Sequence, residues 1–293
     1  MNSYKVLLGL CALMVCLTFT QTSILLLIFY MELVSLLIVP LICNEGFKRL
    51  RNGYEGLILY FIVSSLSGIM MLLGWLSTVY LLLVAGLLIK FGAFPFCWWV
   101  YVVYSSVSWN ILIILNTLYK VPLLVICFLT GCFATPLKNV FFLLTVLLCW
   151  YFLVYYNTGW YGFIGGNSIV SSFLFLYLLE TNSHDWFFLY IFVSWVYIFI
   201  LLRYIFLHEA RETINSDYSG QSSINVLFLF LSLPFSLTVV YKIFSLSIFL
   251  VGSLYSGLVI WCAYGVIEQI WLLNVFYQTS TFSGNAELVS RLS

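Results

Sequence analysis

Long apolar runs, each about the length of a membrane-spanning helix, follow one another along the chain with short polar stretches between them. Residues 23–43 and 55–74 are two such runs, and each carries a single charged residue. A helix needs about 20 apolar residues to cross the hydrocarbon core of a bilayer. Because lipid cannot satisfy backbone hydrogen bonds, such runs must form helices with internally paired backbones. The pattern predicts an all-α polytopic membrane protein.

The composition limits how many membrane-spanning helices the chain can form and which kinds of partner it can bind. Of the 293 residues, 64% are hydrophobic and 7% are charged, whereas a soluble domain has about 25% charged residues. The length allows about ten transmembrane helices in a single transmembrane domain, residues 1–293. The net charge of +1 gives no indication of a nucleic-acid partner. The eight cysteines have no CxxC spacing, which argues against a metal site or a disulfide framework.

One apolar helix, at about 79–103, is predicted to be interrupted. It carries one lysine, Lys90, and is broken at Gly92 and Pro95. A lysine at the bilayer centre costs about 2.5–3.5 kcal/mol on the insertion scale, and it normally faces a polar cavity or a partner. Broken backbone is tolerated only where protein or water satisfies the freed groups. Together these features indicate an ion path.

A second long helix, at about 224–253, repeats this combination. It is interrupted at Pro234 and carries Lys242 further along. Paired interrupted segments in the two halves of a chain indicate a transporter fold with inverted repeats. Beyond it the sequence predicts one more span, at about 255–277, and a polar tail, 278–293.

Two more charges fall within predicted spans and leave two interpretations open. Glu32 lies in the second helix, and Lys120 precedes Pro122 in the fifth, at about 107–131. These charges could be static, reaching an interface or neutralising one another in fixed pairs. Alternatively they carry protons, since burial disfavours a charged amine whereas a nearby carboxylate favours it. Three lysines and one glutamate cost of order 10 kcal/mol to insert, which favours the second interpretation.

Basic residues outside the spans predict the orientation of the chain. With ten helices, the side that holds the N terminus carries seven of them, and the opposite side carries only Lys138. The seven are Lys5, Lys48, Arg49, Arg51, Arg203, Arg211 and Arg291. By the positive-inside rule, both termini should face the positive, cytoplasm-like compartment.

Sequence motifs surround these charges in a fixed order. The stretch IKFGAFPFCWWV follows the pattern Lys-x-Gly-x-x-Pro-Phe with a later Trp. It aligns Lys90, Gly92, Pro95, Phe96 and Trp99. Upstream lie IFYMELVSLLIVP, with Glu32, and EGLILYFIVSSLSG; downstream lie LNTLYKVPLL, with Lys120, and SLPFSLTVVYKIF, with Lys242.

Over about residues 25–245 these motifs resemble the chain 2 family of mitochondrial NADH:ubiquinone oxidoreductase, respiratory complex I, whose members are antiporter-like proton-pumping subunits. The resemblance implies a proton-translocating membrane-arm subunit of the mitochondrial inner membrane, with both termini on the matrix side. It implies that Glu32 and Lys90 form a coupled pair and that Lys120 relays the proton along a hydrophilic axis. Lys242 would then pass it to the exit half-channel.

The resemblance also implies what this chain holds and what it contacts. It would be a subunit of the H⁺-translocating NADH:ubiquinone reductase without a redox centre of its own. FMN, iron–sulfur clusters and ubiquinone would bind elsewhere in the complex, and bound lipids are expected. The partners would be other complex I subunits, especially neighbouring antiporter-like and small membrane-arm chains.

The chain departs from the family pattern at two places near these motifs. Val34 stands where the family usually has Asn, and Cys97 stands where it usually has His. A short, divergent version, as in worm mitochondria, would fit the skewed composition, in which Phe (27), Tyr (21) and Trp (10) are abundant and Pro (5) and His (2) are scarce. Three alternatives stay open: another antiporter-like chain of the same enzyme, a freestanding cation/proton antiporter, and a scaffold subunit whose buried charges only fix packing.

Overall fold

Every secondary-structure element in the part of the chain that the structure describes is a helix. The computed structural model describes residues 2–45, 53–131, 137–155, 159–180, 184–212, 236–251 and 255–292. The helices are α1 (Asn2–Thr20), α2 (Ile24–Glu45), α3 (Gly53–Leu76), α4 (Tyr80–Phe91), α5 (Trp98–Ser106), α6 (Trp109–Asn116), α7 (Lys120–Thr130), α8 (Leu137–Tyr155), α9 (Gly159–Glu180), α10 (His184–Glu212), α11 (Leu237–Val251) and α12 (Tyr255–Leu292). The prediction of an all-α protein is confirmed.

Several of these helices have the length and the apolar composition of membrane spans. Among the described residues, six segments of at least 18 residues qualify, and three shorter helices are also apolar. The six are Ser3–Thr20, Ile24–Asn44, Tyr54–Leu76, Trp109–Thr130, Leu189–Phe206 and Tyr255–Asn274. Trp109–Thr130 is 78% buried inside the protein, whereas the other five are at most 39% buried. This segment, formed by α6 and α7, therefore belongs to the interior.

The chain folds as two compact units, Met1–Ser183 and His184–Ser293. In the first unit, α3 packs against α2, α4 and α5, and α7 packs against α1, α2, α4 and α9. Helix α9 also contacts α5 and α8. In the second unit, α11 packs against both α10 and α12. The central position of α7 brings its N-terminal end beside α4 and α9.

Helices α3 and α4 approach closely because a glycine lies at their contact. A Cβ atom added to Gly86 would lie 2.9 Å from the carbonyl oxygen of Ser67 and 3.1 Å from the backbone nitrogen of Met71. Backbone atoms cannot move aside as the tip of a side chain can. Small residues allow such close approach between membrane helices. Gly86 therefore fixes the distance between α3 and the helix that carries Lys90.

The chain is interrupted between α4 and α5, at the stretch that contains Gly92 and Pro95. Gly92 ends α4 in the left-handed conformation, with φ 66°, which glycine adopts without steric cost. The N–H groups of Gly92 and Ala93 donate to the carbonyl oxygens of Ile89 and Leu88. The Ile89 carbonyl also accepts a 2.9 Å hydrogen bond from the indole Nε1 of Trp99. Protein groups thus satisfy the Leu88 and Ile89 carbonyls near the end of α4, as an interruption within a membrane requires.

The fifth predicted helix, 107–131, is not continuous, and this corrects the sequence-based expectation. Helix α6 ends at Asn116 and α7 begins at Lys120. Pro122 has no N–H to offer the carbonyl of Leu118, and its ring crowds that carbonyl. The regular helical hydrogen bonding is interrupted there, and the N–H of Tyr119 donates to the carbonyl oxygen of Ile114, five residues earlier in the sequence. The break places Lys120 at the first turn of α7.

A second difference from the sequence-based prediction lies at the C-terminal end of the chain. The sequence predicts a polar tail at 278–293, whereas in the structure α12 continues through this stretch to Leu292. No proline occurs there, and polarity alone does not end a helix. The predicted interruption at Pro234 lies outside the described residues, since the structure resumes at residue 236.

Substitution of Gly86 tests the close approach of α3 and α4. We expect Gly86→Ala to destabilise the protein by about 1–3 kcal/mol, the usual cost of overpacking. Gly9→Ala is the matched control, because a Cβ atom at Gly9 has no neighbour within 4 Å. Denaturation by dodecyl sulfate in mixed micelles, followed by tryptophan fluorescence, would measure both. Equal stability of the two variants would contradict the packing described here.

Candidate functional site

A buried ion pair joins α2 and α4. The Lys90 Nζ atom lies 2.8 Å from the Glu32 Oε1 atom and donates a hydrogen bond to it. The Lys90 side chain is 0% exposed, whereas 23% of the Glu32 side chain remains exposed. The ammonium is therefore the more deeply buried partner of the pair, and the carboxylate is the more exposed one.

Neighbouring groups hold the Glu32 carboxylate in place. The Ser35 hydroxyl, one turn further along α2, lies 3.2 Å from Glu32 Oε2 and 2.7 Å from the Glu32 carbonyl oxygen, either of which can accept its proton. On α3, a Cβ atom at Gly68 would overlap the carboxylate. Gly68 therefore leaves the space that the carboxylate occupies, and any larger residue would displace it from Lys90.

Tyr119 covers another side of the lysine. The Lys90 Nζ atom lies 5.7 Å from the centroid of the Tyr119 ring, a distance at which the ring quadrupole attracts a cation. The Tyr119 ring packs against the Tyr60 ring, with centroids 6.1 Å apart. The Tyr60 hydroxyl donates to the Ser35 carbonyl oxygen at 3.4 Å. These two tyrosines therefore connect the surroundings of the ammonium to α2.

Lys120 is buried in a different environment. Its Nζ atom donates to the carbonyl oxygen of Ser168 at 2.6 Å and to the Ser171 hydroxyl at 3.0 Å, both on α9. Both acceptors are uncharged. Neutral oxygens compensate a buried ammonium less fully than a carboxylate does. Lys120 is therefore better suited than Lys90 to exist as a neutral amine that can accept a proton.

A small cavity lies between the two lysines. Both Lys90 and Lys120 line it, together with Tyr104, Tyr119 and Ser168 among others, and the centre of a water molecule has about 20 Å³ available inside it. A cavity needs about 10–15 Å³ on that measure to hold a water, which also needs polar partners. The cavity meets both requirements.

The Tyr104 hydroxyl adds a polar group to this cavity. It donates to Asn116 Oδ1 at 3.1 Å and accepts from the Ser168 hydroxyl, 2.7 Å away, because a phenol has only one proton to give. Asn116 ends α6, immediately before the break that positions Lys120. The break in this segment therefore brings an amide, a phenol and an amine to one polar cluster.

The second unit contains an ion pair of its own. The Lys242 Nζ atom on α11 lies 2.8 Å from the Glu268 Oε2 atom on α12, and the two side chains are 19% and 6% exposed. The sequence analysis selected Lys242 but missed Glu268. The signal was present, because Glu268 is a carboxylate within the predicted apolar span 255–277, and such residues are functional candidates by default.

The structure brings together some of the residues selected from the sequence. Glu32 and Lys90 are paired, and Lys120 shares a cavity with Lys90. Gly92 and Pro95 lie in the interruption after α4. Lys242 lies in the second unit. The assignment of these residues to proton translocation stays a prediction.

Comparison with known proteins gives one sequence match. No family model matches the chain. Over 108 residues, however, the chain is 32% identical to NADH-ubiquinone oxidoreductase chain 2 of Albinaria caerulea. The chain is a distant homologue of that protein. The match covers 34% of this chain and spans about a third, 35%, of the relative. The resemblance to the chain 2 family is confirmed.

A solved structure gives a broader match at lower identity. A chain in respiratory complex I from Thermus thermophilus with bound Aureothin superposes with a TM-score of 0.74 and 16% sequence identity. The match covers 94% of this chain and 70% of that chain. At this identity the likeness shows the fold alone, over 94% of this chain.

A double-mutant cycle tests the coupling of the first ion pair. We expect Glu32→Gln and Lys90→Met each to destabilise the protein, because each leaves the other partner buried and uncompensated. The stability lost in the double variant should be smaller, by about 1–3 kcal/mol, than the sum of the losses in the two single variants. Lys5→Met, at an exposed position, is the control. Additive effects of the two substitutions in dodecyl sulfate denaturation would contradict a coupled pair.

Proposed function

We propose that this chain is a proton-translocating membrane-arm subunit of respiratory complex I, in which electron transfer from NADH to ubiquinone drives proton pumping. The observation that carries the proposal is the pairing of Lys90 with Glu32 beside a cavity that Lys90 shares with Lys120. The distant homology to NADH-ubiquinone oxidoreductase chain 2 supports it. The fold shared with a chain of a solved complex I also supports it.

The first step of the proposed mechanism is the opening of the Glu32–Lys90 pair. While the pair is closed, the carboxylate stabilises the charged ammonium of Lys90. Glu32 is the more exposed partner, so the carboxylate is the group that moves away. The ammonium then lies in a buried site without a counter-charge, and burial disfavours its charged form. The Lys90 Nζ atom gives up a proton and becomes a neutral amine.

The second step passes this proton across the cavity. The space between the lysines has room for a water molecule, which can accept the proton from Lys90 and donate one to the neutral amine of Lys120. The Tyr104 and Ser168 hydroxyls, 2.7 Å apart, orient such a water by hydrogen bonding. Closing of the Glu32–Lys90 pair resets the donor when Lys90 takes up the next proton.

The proposal extends to the placement of the chain. It would span the mitochondrial inner membrane about ten times as one transmembrane domain, with both termini on the matrix side. The six long and three shorter apolar helices support this number. Helices α4 and α5 would form the first broken helix of an inverted repeat, and α11, with Lys242, the end of the second. Other complex I subunits would be the partners and would bind the redox cofactors.

Lysine substitutions in the intact complex test this proposal. We expect Lys90→Met and Lys120→Met each to slow proton pumping about 100-fold or more, the loss typical for removal of a proton-transferring group. Purified complex in proteoliposomes would be driven with NADH and quinone, and internal acidification would be followed with a fluorescent dye. A native gel stained for NADH dehydrogenase activity would show that each variant has assembled.

The control for these variants is Lys5→Met, which makes the same change at an exposed position and should pump normally. Assembled Lys90→Met and Lys120→Met complexes that pump at the control rate would refute the proposal and favour a scaffold role. Migration of the chain as a small species without NADH dehydrogenase activity would also refute it, and would favour a freestanding antiporter.

A further inference from the structure

The second unit contains a buried ion pair that has no role in the two proton-transfer steps proposed above. Lys242 and Glu268 are 2.8 Å apart, and they join α11 to α12. At 19% and 6% exposure, both side chains are more buried than is usual for charged groups. Helix α12 is apolar enough to span a membrane over Tyr255–Asn274, the segment that contains Glu268. The carboxylate is therefore presented from a membrane-spanning segment.

This pair has the same composition as the pair in the first unit. In both, a lysine Nζ atom lies 2.8 Å from a glutamate oxygen on a different helix. The exposures differ in one respect. In the first pair the carboxylate is the more exposed partner, whereas in the second the lysine is. In the second pair the amine is therefore the group with a route to its surroundings.

Aromatic side chains hold the helix that carries Lys242. The hydroxyls of Tyr190 on α10 and Tyr241 on α11 are 2.7 Å apart. The Tyr197 ring stacks on the Tyr241 ring, with centroids 4.6 Å apart and planes at 3°. Tyr241 immediately precedes Lys242 in the sequence. Glu268 is close enough to Tyr197 and Tyr241 to interact with them electrostatically. Tyr197 and Tyr241 therefore place two further hydroxyl groups in the neighbourhood of Glu268.

Stability alone is a weak reason for such a pair. The desolvation of two buried charges offsets most of their mutual attraction, and an apolar pair of similar volume is often as stable. Ionisable groups within membrane segments typically mark ion or proton paths. The arrangement of amine, carboxylate and hydroxyls is one that can hold and release a proton.

We propose that Glu268 is a further proton-translocation residue and that it forms with Lys242 a second ion-pair switch. This inference rests on the proposed function. While the pair is closed, the Glu268 carboxylate stabilises the protonated Lys242. When the pair opens, the Lys242 Nζ atom transfers its proton to a water molecule and is left as a neutral amine. Uptake of the next proton by Lys242 restores the pair.

The test compares three variants in the intact complex, reconstituted in proteoliposomes and driven with NADH and quinone. In Glu268→Gln, Lys242 keeps its position but loses its counter-charge, and we expect pumping to fall about 100-fold or more, the range for a lost proton-transfer group. The double variant Lys242→Met, Glu268→Met should assemble, because an apolar pair can replace a buried ion pair, but it should pump equally poorly. Glu55→Gln, at an exposed carboxylate, should pump normally.

The double variant distinguishes a proton-carrying pair from a structural one. If the pair only fixes packing, the apolar replacement restores pumping, and that result would overturn the inference. Failure of the double variant to assemble on a native gel would assign the pair to packing and overturn it as well. The double variant therefore decides between the two roles even if Glu268→Gln does not assemble.

Lys90→Met, measured in parallel, separates this inference from the proposed function. If Lys90→Met abolishes pumping while the Glu268 variants pump normally, the second switch is wrong and the proposed function stands. If Lys90→Met also pumps normally, the proposed function itself is wrong.

Discussion

A charged amine cannot be buried in a helical membrane bundle without a partner, and Lys90 is fully buried. The structure around it meets this requirement. Helix α2 supplies the Glu32 carboxylate, Gly68 on α3 leaves space for that carboxylate, and Gly86 lets α4 approach α3 closely. Before the interruption that follows, the Leu88 and Ile89 carbonyls are satisfied by backbone N–H groups and by Trp99. Four helices thus contribute to the surroundings of one buried ion pair.

The two buried lysines of the first unit differ in their counter-groups, and in the proposed mechanism this difference sets the direction of proton transfer. Lys90 faces a carboxylate, whereas Lys120 faces neutral oxygens of Ser168 and Ser171. An amine with a movable counter-charge can alternate between a charged and a neutral form. In the proposed mechanism, Lys120, an amine among neutral acceptors, receives the proton that Lys90 releases. The proton would cross the cavity that both lysines line, with the Tyr104 hydroxyl at its wall.

Much of the fold followed from sequence, because apolar length and buried charge are local properties. Glu32 and Lys90 were recognisable as charges in apolar runs, and Gly92 and Pro95 as the positions of a break. The contacts between segments that are distant in sequence could not be predicted from these local properties. Pairing across α2 and α4, and the cavity beside Lys120, arise only when distant segments pack. The break at 117–119 follows from Pro122. It was not predicted, because membrane helices often tolerate a proline without ending.

The central claim is that a water molecule in the cavity connects Lys90 to Lys120, and an experimental map of the intact complex that resolves ordered waters would test it most directly. The account predicts density for a water within hydrogen-bonding distance, about 2.7–3.2 Å, of Lys90 or Lys120 and of the Tyr104 or Ser168 hydroxyl. A cavity of the same size that is dry, or filled by a side chain that separates the two amines, would contradict the account.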